Sequence, residues 1–204
     1  MYEKAELINS TAYFDTLYIS IRLQTLLGSV FTGELHLLAY LSCLLGLYES
    51  HPVSEWGYGF TGTTEGAPYS PAITAASDQM ERSGTVFRRH QIAYVSDRGF
   101  AECELLSSMY SNTTRQRYLE GACSSLLTLP IGIVREALSR EPELRSMSIH
   151  RTARQLLQGP GLESLYRQFE LLRSVLDHSS DILAPAMVWL TYLSCEPARN
   201  EVHR

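Results

Sequence analysis

The 204 residues are 45% apolar and 19% charged, with a formal net charge of −5 at pH 7. This is the composition of a globular protein of one domain or one and a half, and it excludes a largely disordered chain. The acidic balance argues against a dedicated nucleic-acid binder, because a basic excess normally supplies most of the affinity for phosphates.

Helices and a long loop are predicted for the first 69 residues. Residues 12–27 suit both a strand and a helix, and Gly28 as a C-terminal stop favours the helix. Leucines at helical spacing predict a buried helix over 32–49. The apolar run 35–48 within it is too short for a bilayer, which needs about 20 residues. Glycine, threonine and proline then predict a loop over 52–69, in which a short strand or a helical turn at 56–60 stays open.

A helix, a hairpin and a further helix are predicted after this loop. Ser70 as N-cap and Pro71 in the first turn predict a helix over 70–83. Apolar segments on both sides of a charged tip predict a hairpin over 85–95, and a helix over 97–110 comes next. Together with the preceding core helix, this order predicts a winged-helix-like module with a small β-hairpin.

The second half of the chain predicts helices only, which we expect to form a C-terminal helical bundle. Their expected ranges are 113–128, 131–139, 148–157, 162–177 and 183–195. The predicted fold class is therefore mainly α. The expected division is 1–112 for the N-terminal helices and the winged-helix-like module, 113–195 for the C-terminal helical region, and 196–204 for a flexible tail.

A cluster of basic residues makes the hairpin a candidate contact to the DNA backbone. Arg88, Arg89 and His90 lie at its tip, and Arg82 and Arg98 lie on either side of it. Cationic side chains in such a wing contact phosphates and position a protein on the duplex. The alternative, that these are ordinary solvated turn residues, stays open.

The predicted helix over 70–83 argues against the reading of a DNA groove. Its outward positions include Ser70, Thr74, Asp78 and Glu81, with no lysine or arginine before Arg82. An acidic outer face repels phosphates, so the module fits protein binding better than groove reading. The arginines of the second half are interpreted as a solvated face; they are Arg115, Arg117, Arg145, Arg151 and Arg154.

Aromatic residues in two places are candidates for a partner interface. Trp56, Tyr58 and Phe60 belong to the loop, and Trp189 and Tyr192 belong to the last helix. That helix is very apolar for its position, so it is either central core or a contact with another chain. Core is the preferred interpretation, and the interface stays open.

The sequence contains no motif for catalysis or cofactor binding. A phosphate-binding Gly-x4-Gly-Lys-Ser/Thr, a Gly-x-Ser-x-Gly elbow and a His-Glu-x-x-His pair are absent. Glu34 and His36 point to different sides of a helix, and four cysteines without a Cys-x-x-Cys pair predict buried free thiols. We therefore expect a non-enzyme with no catalytic residues, cofactor, metal or small-molecule substrate. No signal peptide or membrane span is predicted, which indicates a cytoplasmic protein.

The layout resembles the small middle subunits of three-component bacterial ABC-ATPase anti-phage defence systems, the Lamassu type among them. The residues behind this resemblance are WGYGFTGTTEGAPYSP at 56–71 and the later runs LPIGIVREAL, GPGLESLYRQF and PAMVWLTYL. The resemblance implies a non-catalytic adaptor that joins an SMC-like ATPase to an effector subunit, with DNA reached through the complex. The alternative is a free-standing winged-helix transcription regulator that binds DNA.

Overall fold

A computed structural model describes residues 9–89, 92–176 and 181–195, and these residues are mainly α-helical, as predicted. The helices are α1 Ser10–Leu27, α2 Thr32–Tyr48, α3 Pro71–Ser83, α4 Asp97–Ser107, α5 Thr113–Ser124, α6 Ile131–Ser139, α7 Pro142–His150, α8 Gly159–Val175 and α9 Leu183–Cys195. The strands are β1 Thr61–Gly62, β2 Pro68–Tyr69, β3 Val86–Arg89, β4 Ile92–Val95 and β5 Arg154–Gln155. Short 3-10 turns cover Val53–Glu55, Tyr110–Asn112 and Ser125–Leu127.

Helix α1 resolves the ambiguity between strand and helix in favour of the helix. Asn9 is its N-cap, because the side-chain oxygen accepts from the Ala12 amide over 2.9 Å. Gly28 ends the helix in the left-handed region at φ 73°, which costs glycine nothing. Asn9 also donates to the Gly57 carbonyl over 2.7 Å, so the start of α1 is fixed to the aromatic loop.

Helix α2 is the centre of the molecule, which confirms the predicted core helix. Of its 17 residues, 14 are buried, and it packs against α1, α5 and α8. The buried apolar residues of the N-terminal and C-terminal regions form one core cluster around it. The expected boundary at residue 112 stays a prediction. No single described helix is long and apolar enough to cross a membrane; Tyr110–Leu127 with Ile131–Ser139 meets that criterion only as a pair bent by 114°.

The predicted hairpin is confirmed as an antiparallel pair of β3 and β4, with Val86 opposite Val95 and Phe87 opposite Tyr94. Its inner face is buried against α1 and α3. Val30, in the connection between α1 and α2, forms an isolated antiparallel bridge to Ala93 of β4. This bridge ties the hairpin to the entry of the core helix.

The second sheet corrects two predictions, and it brings distant parts of the chain together. Its order is β2-β1-β5, with Thr61 paired to both Tyr69 and Gln155. The loop predicted over 52–69 therefore contains two short strands, and the helix predicted over 148–157 is wrong in position. Helix α7 begins at Pro142 and ends where Arg151 turns left-handed at φ 49°, so the chain after it is free to pair as β5.

Other helix ends differ from prediction by a few residues. Helix α4 ends at Ser107, and α5 ends at Ser124 before a 3-10 turn. Helix α8 begins at Gly159, with Pro160 in its first turn, and ends at Val175. The predicted bounds of α6 and α9 are confirmed.

Candidate functional site

Of the candidate DNA contacts at the hairpin tip, Arg88 already forms hydrogen bonds within the chain. Arg88 donates to Glu81 Oε1 over 2.6 Å and to Thr32 Oγ1 over 3.1 Å. This pair neutralises charge on the side of the hairpin nearest α3. Arg89 is exposed at the end of β3, and His90 lies outside the described residues. Arg89 is therefore the described tip residue best placed to meet a phosphate.

The flanking arginines gather at the C-terminal end of α3. Arg82 donates to the Asp78 carbonyl over 3.3 Å, and Arg98 donates to the Ser83 carbonyl over 2.9 Å. Both acceptors lie in the last turns of α3, where cations also meet the negative end of the helix dipole. These contacts describe a structural role for both arginines, although both remain exposed.

The outer face of α3 is acidic in its second half, as predicted. Ser70, the N-cap of the helix, was also expected on that face but does not lie there. Asp78 is exposed and Glu81 half-exposed, as expected. Ser70 is fully buried, and its amide donates to His36 Nδ1 over 3.1 Å, so the expectation that it faces outward is wrong. Burial lowers the pKa of His36 to about 4, which keeps the imidazole a neutral acceptor.

Two aromatic residues of the 52–69 loop lie inside the molecule. Trp56 and Phe60 are each only 2% exposed, and Phe60 meets Tyr40 of α2 edge to face at 5.3 Å. Their predicted place in a partner interface is corrected, because buried rings in this conformation offer no surface to another chain. Tyr58 is half-buried and donates its hydroxyl to Asp15 over 2.5 Å.

A buried ion pair accounts for the position of this aromatic loop. Arg115 of α5 donates from Nε and Nη2 to the two oxygens of Asp15 in α1, over 2.5 and 2.6 Å. The Asp15 side chain is fully buried, and burial raises the pKa of its carboxyl against the opposing effect of Arg115. The guanidinium stacks 3.9 Å from the centre of the Trp56 ring. The cluster therefore joins α1, α5 and the loop.

Sequence reasoning missed this cluster and placed Arg115 and Arg117 on a solvated face. That interpretation is wrong for Arg115, whose side chain is only 12% exposed, whereas Arg117 is exposed and makes a two-pronged pair with Glu49 over 2.7 and 2.5 Å. The available signal was Asp15, a charge within an otherwise apolar helical stretch. A buried acid of this kind requires a cationic partner from elsewhere in the chain.

The last two helices form an apolar cleft, which we name the α8–α9 groove. It has a volume of about 300 Å³, and six apolar residues line it: Leu171, Leu172, Val175, Val188, Trp189 and Tyr192. The predicted interface residues Trp189 and Tyr192 are brought together here, although they differ in exposure. Trp189 is 3% exposed and forms the floor, whereas Tyr192 is 50% exposed on the rim.

Three exposed apolar residues that are close in sequence at the C-terminal end of helix α4 define what we name the α4-end patch. It consists of Leu105, Met109 and Tyr110, of which Tyr110 is 94% exposed. Helix α4 packs on α1 and the hairpin, whereas α8 packs on α2 and α9 on α5 and α6. The α4-end patch and the α8–α9 groove therefore belong to different parts of the fold. Sequence reasoning did not single out this patch.

Cysteines and acids within the described residues are placed as structural groups. Cys43, Cys103 and Cys123 are buried free thiols, as predicted, whereas Cys195 is exposed, contrary to prediction. No group of three histidine, cysteine or acidic side chains within the described ranges is arranged to hold a metal ion. Burial raises the pKa of Glu141, the N-cap of α7, to about 7.

Comparison with known proteins adds no relative to this geometry. Neither a family model, nor a curated protein, nor a solved structure matches the chain.

Proposed function

We propose that this chain is a non-catalytic adaptor subunit of a multi-protein complex built around a DNA-linked ABC/SMC-like ATPase, in bacterial anti-phage defence. The observation that carries the proposal is the presence of two exposed apolar surfaces, the α4-end patch and the α8–α9 groove. An adaptor that joins an ATPase to an effector needs one surface for each partner. Each of the two contacts is stabilised because binding removes apolar surface of the adaptor and of the partner from water.

The charge distribution around α3 supports docking to protein in preference to DNA reading. We take the order of α3, β3, β4 and α4 after the core helix α2, with the Val30 bridge to β4, as support for a winged-helix-like module. In a DNA reader, the helix before the hairpin presents a face compatible with phosphates. Here that helix exposes Asp78, and Glu81 takes up the charge of Arg88.

The experiment is co-expression with the products of the neighbouring genes, among which the proposal requires an ATPase and an effector, followed by size-exclusion chromatography with light scattering. A stoichiometric complex of all three is expected. Leu105→Asp should release one partner and Val188→Asp the other, because a charge buried in an apolar contact costs more than the contact gains. Ile149→Asp is the matched control, since Ile149 is 62% exposed and belongs to neither surface. A chain that stays alone, or variants that leave the complex intact, would overturn the proposal.

A second candidate function, a free-standing winged-helix transcription regulator, is favoured by the exposed Arg89 on the hairpin. It requires binding to promoter DNA that weakens steeply with salt. Arg89→Glu should then abolish the binding, while Arg167→Glu, at a guanidinium 78% exposed on α8, should leave it unchanged. DNA binding that is absent, or equal in both variants, removes this candidate.

A further inference from the structure

The α8–α9 groove is long enough to bind two turns of an α-helix. Its α8 wall runs from Gln168 to Val175, eight residues whose ends lie about 10 Å apart along the axis. Its α9 wall carries Val188 and Trp189, and Tyr192 follows about one turn further along the helix. Two helical ridges with a cleft between them accept the side chains of a third helix packed along them.

The floor of the groove is fixed before anything binds. The Trp189 ring meets Phe169 edge to face at 5.4 Å, and Phe169 in turn meets Tyr48 at 6.0 Å. The indole nitrogen of Trp189 donates to Gln168 Oε1 over 3.3 Å, so its polar atom has an acceptor. Because Trp189 is already held in place and its indole nitrogen is hydrogen-bonded, little conformational entropy is lost when a partner binds.

The rim is strongly exposed and carries no charge of its own. Leu171 is 68% and Val175 80% exposed on α8, and α9 contains no charged residue along its whole length. An occupant must therefore present an uncharged apolar face. Among the residues outside the described ranges, the two segments next to α8 and α9 in sequence are 177–180 and 196–204, DHSS and EPARNEVHR, which are mostly polar or charged. Their composition makes them poor occupants of this groove.

The area of the groove distinguishes a docked helix from a second copy of the chain. The exposed parts of Leu171, Val175, Val188 and Tyr192 amount to on the order of 400 Å², about half of the roughly 800 Å² per partner in a standard interface. A symmetric dimer built on this face alone would bury too little to be stable. A single amphipathic helix, as one part of a larger interface, needs no more.

We infer that the α8–α9 groove docks one amphipathic helix of a protein partner, with apolar anchors spaced as i, i+3 or i+4, and i+7. This inference rests on the proposed adaptor function for the identity of the partner, the ATPase or its effector. The docking chemistry itself depends only on the groove. The two are therefore tested separately.

The test uses the full chain and a defined probe, a fluorescein-labelled 18-residue peptide. The probe carries leucines at i, i+3, i+4 and i+7 on one face and glutamate–lysine pairs elsewhere. Fluorescence anisotropy should show saturable binding. A scrambled peptide of identical composition should bind at least about tenfold more weakly, because its leucines share no face.

Variants of the groove locate the binding. Val188→Glu and Val175→Glu should each weaken probe binding by about tenfold or more, whereas the control Ile149→Glu should bind like the wild type. Val175 and Ile149 are both exposed, so their variants are expected to fold; circular dichroism checks this. Equal binding of the scrambled peptide, or groove variants that bind normally, would overturn the inference.

Two further outcomes would assign the groove to another occupant and also overturn the inference. A concentration-dependent dimer that Val188→Glu disperses in light scattering would identify a second copy of the chain. Probe binding that appears only after removal of residues 196–204 would identify the chain's own terminal segment. Because the probe assay contains no ATPase, a failure to co-purify with the ATPase would refute the proposed function and leave the docking result standing.

Discussion

Replacing Arg115 by methionine is expected to remove about 3–5 kcal/mol from the free energy of unfolding. Its guanidinium holds both oxygens of Asp15, whose side chain is fully buried. Methionine keeps an aliphatic stem over the Trp56 ring but supplies no charge. The carboxylate would then stay buried with its hydrogen bond from the Tyr58 hydroxyl but without the two from the guanidinium. Stability for a domain of this kind is about 5–15 kcal/mol, so a large share would be lost.

The ion pair dominates this magnitude, and a double-mutant cycle isolates it. Loss of the cation–π contact costs roughly 0.5–2 kcal/mol, part of which a methionine sulfur recovers against the same ring. Asp15→Asn removes the buried negative charge while keeping a side-chain oxygen as acceptor for Tyr58. The double variant of Asp15→Asn and Arg115→Met should therefore be more stable than the sum of the single losses implies, by at least about 2 kcal/mol.

Urea denaturation followed by circular dichroism at pH 7 measures these values by linear extrapolation. Arg167→Met is the control, because its guanidinium is 78% exposed and lies 3.8 Å from Glu163, so less than about 1 kcal/mol should be lost. A loss below 1 kcal/mol for Arg115→Met, or strict additivity in the cycle, would refute the view that the pair fixes α1 to α5.

Two further predictions concern stability. Burial raises the pKa of Glu141 to about 7 from 4.5, so the stability that its proton contributes is complete below pH 4.5 and is lost as pH rises through 7. Between pH 4.5 and 8.5, Glu141→Gln should gain about 3 kcal/mol relative to wild type in urea titrations; a difference independent of pH would contradict this. Gly66→Ala should lose more than about 1 kcal/mol, since Gly66 has φ +76° and an added Cβ would meet the Leu144 carbonyl at 2.9 Å. Gly132→Ala, in open space on α6, should gain up to about 1 kcal/mol, and thermal melts that rank the two variants equally would refute the packing argument.

The helices were predictable because periodic apolar residues and caps are local signals. Ser70 with Pro71 marks the start of α3, and Pro130 precedes α6, whereas α7, which begins at Pro142, was predicted in the wrong position. The second sheet was not predictable in this way. Strand β5 has two residues and pairs with β1 more than 90 positions earlier, so no local pattern specifies it.

The direction of a side chain was harder to predict than its secondary structure. The loop over 52–69 has the glycines and polar residues of a surface connection, which placed Trp56 and Phe60 on the outside. In the fold, Arg115 lies over the Trp56 ring, and the loop closes over the core. The buried pair that produces this arrangement joins positions 15 and 115, and one sequence contains no signal that links them.

For α9 as well, the sequence alone did not tell which side chains are buried and which are exposed. A helix without charged residues has no polar face from which periodicity could tell inside from outside. Only packing against α5 and α6 decides that Trp189 lies on the floor and Tyr192 on the rim. The exposed partners Leu171 and Val175 come from α8, whose own sequence pattern says nothing of a neighbouring helix. A docking groove between two helices is therefore a property of their packing, and the sequence of either helix alone is insufficient to predict it.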